Sequence, residues 1–274
     1  MQFFGKKKWV PTSLNFFGYQ SLRYSLAHLF RNTLKKGQSN EYNELKQTGL
    51  VIVENFLGSS EAQKIRKLKT IINHKDYDIG DYSEIHDNAT IVKRRTIKFG
   101  GMSISAEADL LNYAIDAIVN KVSEVFSVEK VKCIENQNFW FDHIEAHPGN
   151  SSQSESHTDT YFPNYKVWYF PEEVKSCDIP LTIFMGSNKF SIRRMFFEYR
   201  QSISTQLGDE LSWRPRDTFG LKLLKSEKKV CCKADTLVIA DVHAFHKRSS
   251  SKKFCDRIQL HATLTREPFS RSTP

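Results

Sequence analysis

The sequence predicts a mainly β domain with flanking helices. Three observations carry that prediction. Strand-like runs dominate from Cys133 onward, amphipathic helical periodicity dominates before it, and 274 residues with 39% hydrophobic and 12% aromatic content suffice for one large β-rich core with additions. No internal repeat or low-complexity tract interrupts the chain.

In chain order, residues 1–40 form a basic aromatic N-terminal segment. It contains seven Lys or Arg and no Asp or Glu, so it carries +7 of the net +9 charge. Leu22, Leu26, Leu29 and Phe30 recur at helical spacing, and aromatic residues punctuate the basic ones. Two readings stay open for this segment. One is a helix packed on the domain with its basic face in water. The other is an interfacial helix in peripheral contact with a membrane, through residues 1–36. Its longest apolar stretch is too short to span a bilayer, and no secretory signal pattern is present. The expected location is therefore cytoplasmic, peripheral on the inner membrane if the second reading holds. Lys35 to Asn40 reads as a linker into a single domain spanning residues 41–274.

Residues 41–57 predict a short helix or turn and then a strand from Leu50 to Val53. Ser59 and Ser60 before Glu61 signal a capped helix running to about Ile72. Residues 73–104 read as polar and irregular, with a basic run at Lys93, Arg94 and Arg95. Residues 106–126 read as an amphipathic helix. Phe139 to Glu145 alternates as a strand should, and Thr236 to Ala240 is a short apolar run of a buried strand. Between strands, Phe190 to Gly208 has helical spacing and predicts an insertion at about residues 190–208 that lies as a lid or an external helix. The five cysteines form no C-x-x-C pair, which argues for reduced thiols.

Chemistry concentrates at His157 and Asp159. In a strand, positions i and i+2 share a face, so both side chains can meet one ion. His246 follows Asp159 by 87 positions (246 − 159), and Arg257 follows His246 by 11 (257 − 246). Two imidazoles and a carboxylate suit one face of iron(II), leaving positions open for a 2-oxo acid and dioxygen. An arginine fork suits the far carboxylate of such an acid. The expected activity is an Fe(II)/2-oxoglutarate-dependent oxygenase, with Fe(II), 2-oxoglutarate and O2 required. His74 with Asp76 repeats the H-x-D spacing, but in loop-like surroundings. His143 reads as a residue that supports the site or faces substrate. His243 competes with His246 as the distal ligand; their odd separation lets at most one ligate from an unbroken strand.

Four stretches, HTDTYFPNYKVWYFPEEV, PLTIFMGSNK, ADTLVIADVHAFHKR and RIQLHATLTREPF, resemble the phytanoyl-CoA dioxygenase family, and more closely its bacterial members without an assigned substrate. The resemblance spans roughly residues 45 to 269. It implies a double-stranded β-helix (jelly roll, cupin-like) core. It implies metal and catalytic roles for His157, Asp159 and His246, selecting His246 over His243. It also implies co-substrate contacts for Arg257 and, near it, Trp168. One departure is visible: the family's P-G-S-H turn reads Met185-Gly186-Ser187-Asn188 here.

The outcome such an enzyme implies is hydroxylation of an unactivated C–H bond. Candidate substrates are a sugar of a lipid-linked glycan, such as the Kdo region of lipopolysaccharide, or a free small molecule or acyl thioester. A non-catalytic β-helix-fold binding module is the alternative class. Outside residues 1–40 the chain is close to neutral, so no nucleic-acid partner is expected.

Overall fold

The computed structural model describes residues 12–33, 39–69, 81–87, 92–99, 106–126, 139–148, 152–204, 213–250 and 253–264. His74, Asp76 and the linker residues Lys35 and Lys36 lie outside them, as do the side chains of Lys93, Arg94 and Arg95.

Two short helices come first: α1 (Thr12–Phe16) and α2 (Tyr19–Thr33). Helix α3 (Asn40–Thr48) starts where Ser39 Oγ accepts the Tyr42 N–H, and stops at Gly49, whose φ of 85° only glycine adopts cheaply. Strand β1 (Leu50–Glu54) follows, then α4 (Ser59–Lys67), β2 (Asp81–Asp87), β3 (Val92–Phe99) and α5 (Ala106–Val125). Next come β4 (Phe139–Ala146), β5 (Tyr165–Phe170), β6 (Leu181–Phe184), α6 (Ile192–Ser204) and α7 (Thr218–Leu221). The chain ends with β7 (Glu227–Lys229), β8 (Thr236–Asp241), β9 (His246–Arg248) and β10 (Cys255–Leu264).

All strand pairs are antiparallel and fall into two sheets. The larger has the order β1-β8-β5-β10-β4-β3-β2, the smaller β7-β6-β9. This is a jelly roll, as the sequence predicts. The alternation of β10 explains the layering. Ile258, Leu260, Ala262 and Leu264 face outward into the main core, where Tyr165, Val167 and Tyr169 of β5 meet Leu111, Ile118 and Val122 of α5. Each such side chain removed from water contributes about 1.5–3 kcal/mol before entropy is counted. The opposite face of the large sheet (Leu50, Phe170, Val238 and Ala240) packs against Ile183, Val230 and Cys232 beneath the small sheet.

One expectation needs correction. Residues 81–87 and 92–99 are paired strands rather than irregular chain. Their charged sequence hides them because β-structure is decided by cross-strand pairing more than by residue preference. The cysteines behave as predicted: the four described, Cys177, Cys231, Cys232 and Cys255, are all free thiols.

Candidate metal and co-substrate site

The site is built where the small sheet meets the loop after β4. His157 and His246 form an antiparallel bridge, each donating its backbone N–H to the other's carbonyl at 2.9 Å. Directly opposed residues of such a pair project to the same face. Their rings accordingly lie with centroids 4.5 Å apart. Asp159 is pinned two residues on, its N–H donating to Val242 O. Oδ1 of Asp159 then lies 3.7 Å from His157 Nε2 and 3.8 Å from His246 Nε2. One donor atom from each of the three residues lies within 4.8 Å of the other two.

The imidazoles are presented in a fixed sense. His157 Nδ1 sits 2.8 Å from Glu155 O, and His246 Nδ1 sits 3.0 Å from Ala244 O. A carbonyl only accepts, so each Nδ1 carries the proton and each Nε2 lone pair turns toward Asp159. Arg216 grips both carboxylate oxygens of Glu155, at 2.6 and 2.8 Å, and steadies the segment before His157. Burial, helped by the neighbouring His246, drives the His157 pKa down to about 3, so the ring is neutral and ready to ligate. Burial alone would raise the Asp159 pKa. His246 and the Lys166 ammonium outweigh it and hold the carboxyl well below its ordinary value. Lys166 Nζ donates to Asp159 Oδ2 at 2.7 Å, leaving Oδ1 for an ion. The donor set thus fits a divalent metal with open coordination positions.

His243 goes elsewhere. Its Nδ1 lies 2.9 Å from Thr160 O and its Nε2 3.2 Å from His28 Nε2 on α2. Buried Asp241 shapes the intervening turn by accepting the backbone N–H groups of His243 and Asn164. The altered Met185 to Asn188 turn keeps its form, with Gly186 at φ 74°. Asn188 takes a structural task there, donating to Leu45 O and Asp241 Oδ2.

Arg257 fits an anionic co-substrate. It is buried on β10, yet its Nε and Nη1 have no hydrogen-bond partner among the described residues. Burial lowers its pKa from an ordinary value too high for deprotonation to matter. A buried guanidinium without acceptors is costly unless an anion completes it, and a ligand carboxylate meets that need. The Phe170 ring lies beside it, its centroid 5.5 Å from the guanidinium carbon. Trp168 stands two residues before Phe170 on the same face, in register with His261 of β10.

His143 departs from its expected role. The alternation of β4 sends it outward with Phe139 and Phe141, and its Nε2 bonds Asp256 at 2.6 Å on the face away from the small sheet. Sequence reading also missed Lys166 and His28. Lys166 carries the β5 alternation as its only signal, and His28 depends on how α2 docks.

No family profile matches the chain, and no curated protein matches it by sequence. Comparison with solved structures does find relatives in shape. The epimerase SnoN, solved with Fe3+, alpha ketoglutarate and nogalamycin RO, superimposes with a TM-score of 0.54 at 10% identity, over 81% of each chain. AviO1 from Streptomyces viridochromogenes Tue57 gives 0.53 at 11%, covering 88% of this chain and 99% of its own. The alpha ketoglutarate dependent carbocyclase SnoK gives 0.51 at 11%, over 83% of each. At these identities the likeness establishes the fold alone, a jelly roll.

Proposed function

We propose that this protein is an Fe(II)/2-oxoglutarate-dependent oxygenase that hydroxylates an organic substrate. The observation that supports the reading best is the convergence of His157, Asp159 and His246 on one point, on the sheet framework that also buries the unpaired Arg257. When bound, iron, 2-oxoglutarate and dioxygen supply the oxidising power that no side chain has. The chain's own residues do the rest. His157 Nε2, His246 Nε2 and Asp159 Oδ1 hold the metal, and the Glu155 and Ala244 carbonyls keep the ring protons on Nδ1. Lys166 restrains the second oxygen of Asp159. Arg257 orients the co-substrate through its distal carboxylate.

For the substrate, we propose a molecule presented at a membrane, such as a sugar of a lipid-linked glycan. The support is the basic, aromatic N-terminal sequence and the helices it forms. The similar structures described above lend no support to Kdo or another lipid-linked sugar. A phytanoyl-CoA dioxygenase-like relationship rests on the four quoted stretches of sequence.

Anaerobic titration of apo-protein with iron(II) and 2-oxoglutarate tests the class. A weak visible charge-transfer band is expected in the wild type and in His243→Ala, and its loss in Asp159→Ala and His246→Ala. Absence of the band in folded wild-type protein refutes the reading in favour of a binding module. Its survival in His246→Ala refutes the assignment of the distal ligand.

A further inference from the structure

Helices α1, α2 and α6 are inverted relative to ordinary surface helices. A surface helix buries an apolar stripe and exposes its charges. Here the buried side of α2 carries Gln20, Arg23, Tyr24 and His28, and that of α6 carries Arg194, Glu198 and Ser202. Tyr24, Ala27 and Phe197 are buried with them, but six large apolar residues of these helices and of the turn between α1 and α2 face out. Phe16 is 68% exposed, Phe17 91%, Leu22 51%, Leu29 61%, Ile192 64% and Phe196 53%.

These six side chains form one surface. Asn15 bonds Ser202 O, Gln20 bonds Glu198, and Ser25 bonds Met195, so α2 and α6 run antiparallel, side by side. That register sets Leu22 level with Phe196 and Leu29 level with Ile192. The Tyr199 hydroxyl bonds Phe16 O and brings Phe16 and Phe17 to the same end. Leu22 and Leu29 are two turns apart on one stripe, as Ile192 and Phe196 are one turn apart on theirs. At 1.5 Å per residue the 15-residue α2 makes this face about 22 Å long. Contiguous apolar surface of this extent marks an interaction site.

Charge identifies the occupant. Among the residues of these three helices the one acid is Glu198, and it is buried against Arg194 at 3.0 Å. The exposed basic residues on α6 and just before it are Lys189, Arg193 and Arg200, and the sequence before Thr12 contains Lys6, Lys7 and Lys8 with no acid. Apolar anchors beside Lys189 and Arg193, with Asp217 engaged by Arg200 at 2.8 Å, match an anionic bilayer surface, where each Lys or Arg near the headgroups adds about 1 kcal/mol. No described helix is long and apolar enough to cross a membrane, which leaves contact in the interface plane.

We propose that the outward face of α1, α2 and α6 docks the protein on a membrane surface bearing anionic lipids. The inner side of α2 touches the metal-bearing loop through His28 and His243. Docking on the outer side therefore seats the oxygenase fold against the bilayer in one orientation. The proposal concerns a surface and needs no bound metal, so it stands or falls independently of the proposed chemistry.

Co-sedimentation of the full chain with phosphatidylcholine vesicles containing roughly 30% phosphatidylglycerol tests it. Tight binding is expected, weakened several-fold by omitting phosphatidylglycerol and by raising salt. Phe17→Ser with Leu22→Ser and Phe196→Ser should weaken it at least about tenfold while leaving the melting temperature and the iron titration unchanged. Because those three side chains are exposed, their loss leaves the core intact; Lys189→Glu with Arg193→Glu, a change of charge alone, supplies a second variant expected to weaken binding. Wild-type protein that ignores these vesicles, or triple and charge variants that bind them as the wild type does, overturn the proposal. So does a solution dimer that the triple substitution dissociates, since the face would then be covered by a second copy.

Discussion

At the residue scale, the proposed role of Arg257 sets co-substrate binding against apo-protein stability. Its guanidinium is desolvated with two nitrogens unpartnered, so in the absence of an anion it destabilises the fold. Arg257→Met keeps the packing against Phe170 and deletes the charge. The apo-protein is expected to melt at the same temperature as the wild type or higher. Affinity for 2-oxoglutarate, measured by titration of the charge-transfer band, should fall about 10- to 100-fold, the worth of a hydrogen-bonded charge pair. A variant that melts well below the wild type would show Arg257 to be a structural residue. The three proposed metal donors differ in kind: the backbone of each is pinned by its own hydrogen bond.

At the element scale, the N-terminal helices are part of the site's architecture. The buried pair Arg194–Glu198 joins α6 to the loop before His246, because Arg194 Nη2 also donates to His243 O at 3.2 Å. Gln20 of α2 donates to the second oxygen of Glu198. Removing one partner of a buried pair leaves an uncompensated charge, at a cost of about 3–5 kcal/mol. Glu198→Ala is expected to lose stability on that order in urea unfolding and to weaken metal binding as the loop before His246 loosens. A loss under about 1 kcal/mol would place Arg194 outside any energetic role. Much of this scale was legible in advance. The strands Leu50–Glu54 and Thr236–Asp241 and the long helix at 106–125 all carry clear periodicity. The convergence of His157, Asp159 and His246 was legible because residue type, spacing and order coincide. The orientation of α2 was not. Leu22, Leu26 and Leu29 suggest the buried stripe, whereas the fold buries Arg23 and His28, whose partners Tyr161 and His243 lie far along the chain. Periodicity finds a helix and its stripes but cannot say which stripe the rest of the molecule satisfies.

At the scale of the whole molecule, the preformed site makes folding stability depend on pH. His157 has a pKa of about 3 in the folded protein against 6.5 ordinarily, chiefly because burial penalises the charged ring. Between those values the unfolded chain binds a proton that the folded one does not, so stability must fall as pH falls, by at most about 1.4 kcal/mol per unit from this group. Asp159 acts in the same direction but later. Its folded pKa is depressed, so its contribution is fully present above its ordinary 3.8 and is lost only below that. Urea midpoints of metal-free wild type and His157→Gln, compared between pH 7 and pH 4.5, separate the two: the wild type should lose more stability than the variant across that window. Equal losses would mean that the ring protonates freely in the folded state, and the neutral, aimed imidazole inferred from Glu155 O would be wrong. Bound metal should amplify the effect, because it needs the same neutral ring and adds its binding free energy to the folded state alone. The metal-loaded protein is therefore expected to be the more stable form at pH 7 and to lose that advantage as the pH falls and protons compete with the metal for the imidazoles.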